Sequence, residues 1–350
     1  MTAQIAFVFP GQGSQTVGMG ADIYDAFPAA RGVFATADQA LGFALSDLCF
    51  QGPEERLRET VNAQPAIVTV SLALLAALQA ALAGVIGHSS LTSPLTPAYS
   101  AGHSVGEYAA LVAAGAIDLT DAIRLVRERG RLMHHEGTIC PGGMAAVIGM
   151  DGDALQDVCR EATELTLNAA ARGSATERPT HVGAGKVIVA NFNAPGQIVI
   201  SGENLALQRA VELAKERGAK RVIPLAVSGA FHSPVMQPAA EGLARMIATT
   251  AIRDARLPVV SNISATPLRE AQAIRDELAQ QIATSVQWTR TIEYLVQVGV
   301  TAFIEIGPGQ ALTGMIKRIA KGVTTLNVSN EADISKAVAT IREMHIVDEI

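Results

Sequence analysis

No Asp, Glu, Lys or Arg occurs anywhere from residue 60 to residue 106. An uncharged run of that length has to leave water, so it enters either a bilayer or the interior of a large fold. Its most apolar part, residues 66–87, is long enough to cross a membrane. It is, however, rich in Ala rather than Leu or Ile and carries Thr69, Ser71 and Gln79. It also lacks flanking Lys/Arg and aromatic anchors. A buried helix inside an α/β core fits better, and no membrane partner is expected. The 350-residue chain has material for such a core, with 49% of its residues hydrophobic and 17% charged, which excludes a disordered chain. At roughly 150 residues per domain, the length implies two domains or one large domain with an insertion.

Strand and helix signals alternate. Apolar runs at 5–9, 98–102, 221–227, 258–263 and 301–306 read as strands, with helical patterns between them, as at 20–44 and 65–83. That alternation implies a mostly parallel sheet covered on both faces. One segment breaks the rhythm. A strand at 143–149, a helix at 152–165, a hairpin of 186–191 and 197–201 across Asn193-Ala194-Pro195-Gly196, a helix at 203–217 and the run 221–227 follow a β-α-β-β-α-β order. This is the order of a small ferredoxin-like unit. The expected division is a discontinuous large unit, residues 1–142 and 218–350, with a small one, 143–217, inserted. Residues 84–99 and 169–185 have loop composition.

Composition narrows the function. With 27 Lys+Arg against 33 Asp+Glu the formal charge is −6, which argues against a nucleic-acid partner. Cys49, Cys140 and Cys159 show no metal-ligand spacing, so no metal is expected and a reducing, cytoplasmic setting is the simplest reading. Residues 1–9 lack the features of a signal peptide.

Three features carry chemistry. Gly102-His103-Ser104-Val105-Gly106 fits G-x-S-x-G, in which glycines permit a sharp strand-to-helix turn that holds a Ser hydroxyl proud of the sheet. The N–H groups at the start of the following helix are then placed to stabilise an oxyanion. The plain alternative is a glycine turn with a capping Ser. On a wheel of residues 121–135, Ala122, Ile123, Leu125, Val126, Leu132 and Met133 share one side, and Arg129 lies in the middle of it. A guanidinium there needs an anion, either a structural carboxylate such as Glu107 or a substrate carboxylate held in a bidentate fork. His232 follows the run 221–227 and suits a general base, or is an ordinary loop histidine. No acidic residue is well placed to complete a triad, since Glu241 points away on a helix; the sequence supports a Ser–His pair. The loops Pro10–Gln15 and Glu305–Gly309 have neither Walker nor dinucleotide spacing.

Taken together and in order, Phe9-Pro10-Gly11-Gln12-Gly13-Ser14-Gln15, Gly102-His103-Ser104-Val105-Gly106-Glu107-Tyr108, Arg129 to Met133, Gly229-Ala230-Phe231-His232-Ser233 and Glu305-Ile306-Gly307-Pro308-Gly309 make the chain resemble the malonyl-CoA:acyl-carrier-protein transacylases from about residue 3 to residue 329. The resemblance implies an α/β-hydrolase-like parallel-sheet core with an inserted small ferredoxin-like α+β subdomain. It implies Ser104 as the nucleophile and His232 as its base, oriented by the backbone carbonyl of Gln281. The Gln12 and Val105 N–H groups would form the oxyanion hole, and Arg129 would clamp the malonyl carboxylate. Gln64, His103, Met133, Gln197 and Phe231 would line the pocket. Partners would be malonyl-CoA and acyl carrier protein, with no cofactor, and the chain would act as a monomer. Lys220, Arg221, Lys317, Arg318 and Lys321 either form a basic rim facing the acidic carrier or are simply a solvated charged face. Two alternatives share Ser104 and His232: a serine hydrolase of esters or acyl carriers, and a polyketide trans-acyltransferase with another extender preference.

Overall fold

A computed structural model describes residues 4–86, 96–172 and 181–346. In chain order its strands are β1 (Gln4–Phe9), β2 (Tyr99–Gly102), β3 (Gly142–Ile148), β4 (Val187–Ala194), β5 (Gln197–Glu203), β6 (Arg221–Pro224), β7 (Val259–Val260), β8 (Pro267–Leu268), β9 (Val300–Ile306) and β10 (Thr324–Val328). They form two sheets. The larger has the order β10-β9-β1-β2-β7-β8, parallel except for the edge strand β8. In β1, Ile5, Phe7 and Phe9 face one apolar cluster while Ala6 and Val8 face another, so this central strand is buried on both sides. Its near-continuous hydrophobic sequence follows from that position.

The uncharged segment becomes the helix Thr60–Ile86, which is long and apolar enough to span a membrane but is mostly buried within the fold. Pro65 lies inside it and has no N–H to give the Val61 carbonyl four residues earlier. Arg127 supplies the missing donor, its Nη1 bonding the Val61 oxygen at 2.9 Å.

The smaller sheet is antiparallel, in the order β4-β5-β3-β6, with the helices Gly152–Arg172 and Asn204–Glu216 packed through an apolar cluster of its own. It runs past the boundary expected at residue 217, because Arg221–Pro224 hydrogen-bonds to β3 and closes that sheet. Other local expectations change for similarly physical reasons. The helix expected over 20–44 is two helices, Ala21–Ala26 and Pro28–Leu41, since Phe27 before Pro28 takes an extended conformation. The helix expected to end at 165 continues to Arg172. Of the two expected loops, residues 87–95 and 173–180 lie outside the described residues.

The parallel strands β1, β2 and β9 all end at the same edge of the large sheet, and the loops that follow them nearly touch. A Cβ on Gly106 would stand 2.2 Å from the Phe9 carbonyl oxygen, and one on Gly102 would stand 2.0 Å from the Gly106 carbonyl carbon. Neither obstacle is a flexible side chain. Gly106→Ala is therefore expected to destabilise the fold by about 2–3 kcal/mol or more, read as a lower denaturation midpoint at unchanged m-value. A midpoint equal to that of the parent chain would contradict this packing.

Candidate active site

Ser104 sits where β2 turns into the helix Gly106–Ala113, with φ at 53°, a left-handed conformation costly for a residue with a Cβ. Asn262 holds that conformation: its Oδ1 accepts the Ser104 N–H at 2.7 Å and its Nδ2 donates to the Gly102 carbonyl at 2.8 Å. The Ser104 hydroxyl thereby points into a cleft of about 430 Å³ between the two sheets, lined among others by Gln12, His103, Arg129, Met133, Phe231 and His232.

Ser104 Oγ lies 2.7 Å from His232 Nε2. The opposite nitrogen, Nδ1, faces two backbone carbonyls, Gln281 at 3.0 Å and Thr284 at 3.1 Å. Two acceptors there place the ring proton on Nδ1, so Nε2 faces the serine hydroxyl with its lone pair free. Burial, and then the charge of Arg129, lower the pKa of His232 to about 3, against the pull of the two carbonyls. The imidazole consequently stays neutral well below its ordinary range. By linkage, the stability this contributes is complete above the unfolded value near 6.5 and is lost as pH falls toward 3. Acyl loading of Ser104 is thus expected to show no inflection near pH 6.5 in rapid-quench experiments; a midpoint there would contradict the buried, neutral base.

Arg129 is 1% exposed. Among the described residues it makes no ion pair. Instead Nη1 donates to Gln64 Oε1 at 2.7 Å, and Nη2 donates to Gln281 Oε1 at 2.8 Å and to Ser104 Oγ at 3.1 Å. Its Nε has no partner. Glu107, the structural carboxylate considered as its partner, accepts instead from the Asn262 N–H at 3.1 Å and from Gln281 Nε2. A buried cation bonded only to neutral oxygens, within reach of the nucleophile, still lacks its counter-ion.

A family model described as an acyl transferase domain matches residues 6–339. The chain belongs to the acyltransferase family. It is 43% identical over 341 residues to a malonyl CoA-acyl carrier protein transacylase of Bacillus subtilis, covering 97% of this chain and 98% of that protein. The solved malonyl CoA-acyl carrier protein transacylase of Coxiella burnetii superposes with a TM-score of 0.84 at 36% identity, covering 97% and 98% of the two chains. A malonyl-transacylase solved in complex with its type II polyketide acyl-carrier protein gives a TM-score of 0.83 at 38% identity, covering 97% and 100%.

In this acyltransferase the structure brings Ser104, His232, Arg129, Gln281, Gln64, Met133, Phe231, His103 and Gln12 to one cleft or its immediate wall. Gln64 lies behind Arg129, its Nε2 also 3.3 Å from Met133 Sδ. His103 bonds Asn193 Oδ1 at 2.8 Å and stacks edge-on against Trp288. The Val105 and Gln12 backbone N–H groups have no hydrogen-bond partner among the described residues. Gln197 is the exception. It lies outside the cleft lining and accepts from Arg318 Nη1 at 2.5 Å, while Asn191, Asn193 and Val199 of the same hairpin line the cleft. Gln197 starts β5, roughly 7 Å along the strand from Val199, and Arg318 holds it there. Glu305 caps the helix Ala311–Ile319 through the Leu312 and Thr313 N–H groups, at 3.0 and 2.7 Å. Asn262, Thr284 and the side chain of Gln281 are site residues that sequence reasoning missed. No local pattern marks them, because long-range contacts place them.

Proposed function

We propose that this chain transfers a malonyl group from malonyl-CoA to the phosphopantetheine thiol of an acyl carrier protein, through a malonyl ester on Ser104, supplying fatty-acid or polyketide synthesis. The observation that carries this reading is the Arg129 guanidinium, buried, paired only with neutral oxygens and 3.1 Å from the nucleophile. It suits an acyl donor with a free carboxylate at its far end. The relatives' names supply the donor and the acceptor.

The steps follow from the positions of the groups. His232 Nε2 takes the Ser104 proton as Oγ attacks the thioester carbonyl, and the Gln12 and Val105 N–H groups receive the oxyanion. The C–S bond breaks, and the coenzyme A sulfur leaves with the proton from His232. The carrier thiol then enters, gives its proton to His232 and attacks the ester, and Ser104 leaves with that proton. Thioester, ester and thioester lie close in energy, so the sequence needs neither ATP nor metal. Lys317 and Arg318 lie on the helix whose Ala311, Leu312 and Met315 line the cleft, a suitable rim for an acidic carrier.

A hydrolase would have no use for Arg129 beside its serine. Incubation with malonyl-CoA and holo carrier protein distinguishes the two: malonyl-carrier is expected to accumulate, whereas free malonate as the main product would overturn the proposal. Phe231 and Met133 narrow the acyl site, so methylmalonyl-CoA is expected to load about 10- to 200-fold more slowly in stopped assays. Equal rates would favour the broader extender preference.

A further inference from the structure

Arg129 is bonded by amide oxygens, and an amide can sit either way round. Gln281 presents Oε1 to Arg129 while its Nε2 donates, on the other side, to the Ser104 carbonyl at 3.0 Å and to Glu107 Oε2. Glu107 is fully buried in the first turn of the helix after Ser104 and makes no ion pair among the described residues. Its second oxygen accepts the Asn262 N–H, and another buried acid, Glu277, lies alongside. Glu277 in turn accepts from the Ser261 hydroxyl at 2.6 Å and the Ile263 N–H at 3.0 Å. Burial, with Glu277 alongside, raises Glu107 well above the usual carboxylate range. The Gln281 amide thus stands directly between Glu107 and the guanidinium.

We propose that Glu107 is a positioning residue for the carboxylate site, fixing the Gln281 amide in the orientation that serves Arg129. A carboxylate in direct contact would compete with the donor's own acid group, whereas contact through the amide leaves the fork of Arg129 available. This rests on the reading that Arg129 receives the free carboxylate of the acyl donor.

Two isosteric variants test it. In Glu107→Gln, two N–H donors face one oxygen, and because the Asn262 N–H belongs to the backbone, the Gln281 amide must turn its NH₂ toward Arg129. In Glu277→Gln, Glu107 keeps both of its acceptor oxygens. Each variant leaves one carboxylate in the pair, so the contrast between them reads amide orientation rather than charge. The readout is the ratio of malonyl to acetyl loading on the intact protein, with KM and kcat for each donor and the thermal midpoint of each variant. Glu107→Gln is expected to lower the malonyl-to-acetyl ratio about tenfold or more, mainly through KM for malonyl-CoA, while Glu277→Gln keeps the parent ratio. An unchanged ratio in Glu107→Gln, an equal fall in both variants, or a proportional loss of both donors with a lowered midpoint would overturn the proposal. A parent protein that does not favour malonyl over acetyl would instead overturn the functional reading on which it rests.

Discussion

Arg129→Ala is expected to lower malonyl loading of Ser104 by about 10²- to 4 × 10³-fold, the cost of breaking a buried, hydrogen-bonded charge pair at roughly 3–5 kcal/mol. Acetyl loading is expected to fall by about tenfold or less, since an acetyl group has no carboxylate for Arg129 to hold and loses only the single 3.1 Å hydrogen bond to Oγ. The separation of the two donors is the informative quantity. Arg129→Lys should recover little, because a single ammonium cannot reproduce the fork that meets a carboxylate bidentately. Burst-phase acyl-enzyme formation, followed by intact mass with each coenzyme A thioester, measures both rates. An equal loss for malonyl and acetyl would assign Arg129 to the integrity of the site rather than to selection of the donor.

His232→Ala removes the proton acceptor 2.7 Å from Ser104 Oγ. Loss of a positioned general base costs about 10²- to 10⁴-fold, and the expected fall in acyl-Ser104 formation lies toward the upper end, because no second titratable base among the described residues contacts the hydroxyl. Malonyl and acetyl should fall together here, in contrast to Arg129→Ala. His232→Ala should also remove the stability lost between pH 6.5 and 3 that the neutral imidazole brings, so its unfolding midpoint should depend less on pH over that window. Substitution at Thr284 is expected to matter little, because its contribution is a backbone carbonyl at 3.1 Å that any residue provides.

How much of this could be read from the chain varies by residue. Ser104 was legible because its strained turn demands glycines on either side, and those glycines are visible as spacing. Arg129 was legible as an anomaly, a permanent charge on an apolar helix face, but the helix alone left a structural carboxylate and a substrate equally open. The structure separates them: Glu107 spends its oxygens on Asn262 and Gln281. Gln281, Thr284 and Asn262 were not legible from local pattern. Each serves the site through hydrogen bonds to residues about fifty or more positions away, whose placement only the completed fold sets. Gln197 was misplaced because its dipeptide neighbours specify a hairpin turn without specifying how far along the strand the cleft ends.

The large sheet followed from alternation, and its central strand β1 shows why: burial on both faces leaves a signal that needs no periodicity. Boundaries fared less well where proline intervenes. Phe27 before Pro28 divides one helix into two, and Pro224 ends a strand that the apolar pattern carries on to Val227.

The most direct test of the central claim is the structure of the acyl-enzyme trapped after a pulse of malonyl-CoA. The account predicts a malonyl ester on Ser104 Oγ whose free carboxylate accepts two N–H bonds from Arg129, each about 2.7–2.9 Å long. A malonyl carboxylate directed into solvent, with no hydrogen bond to the guanidinium, would contradict it.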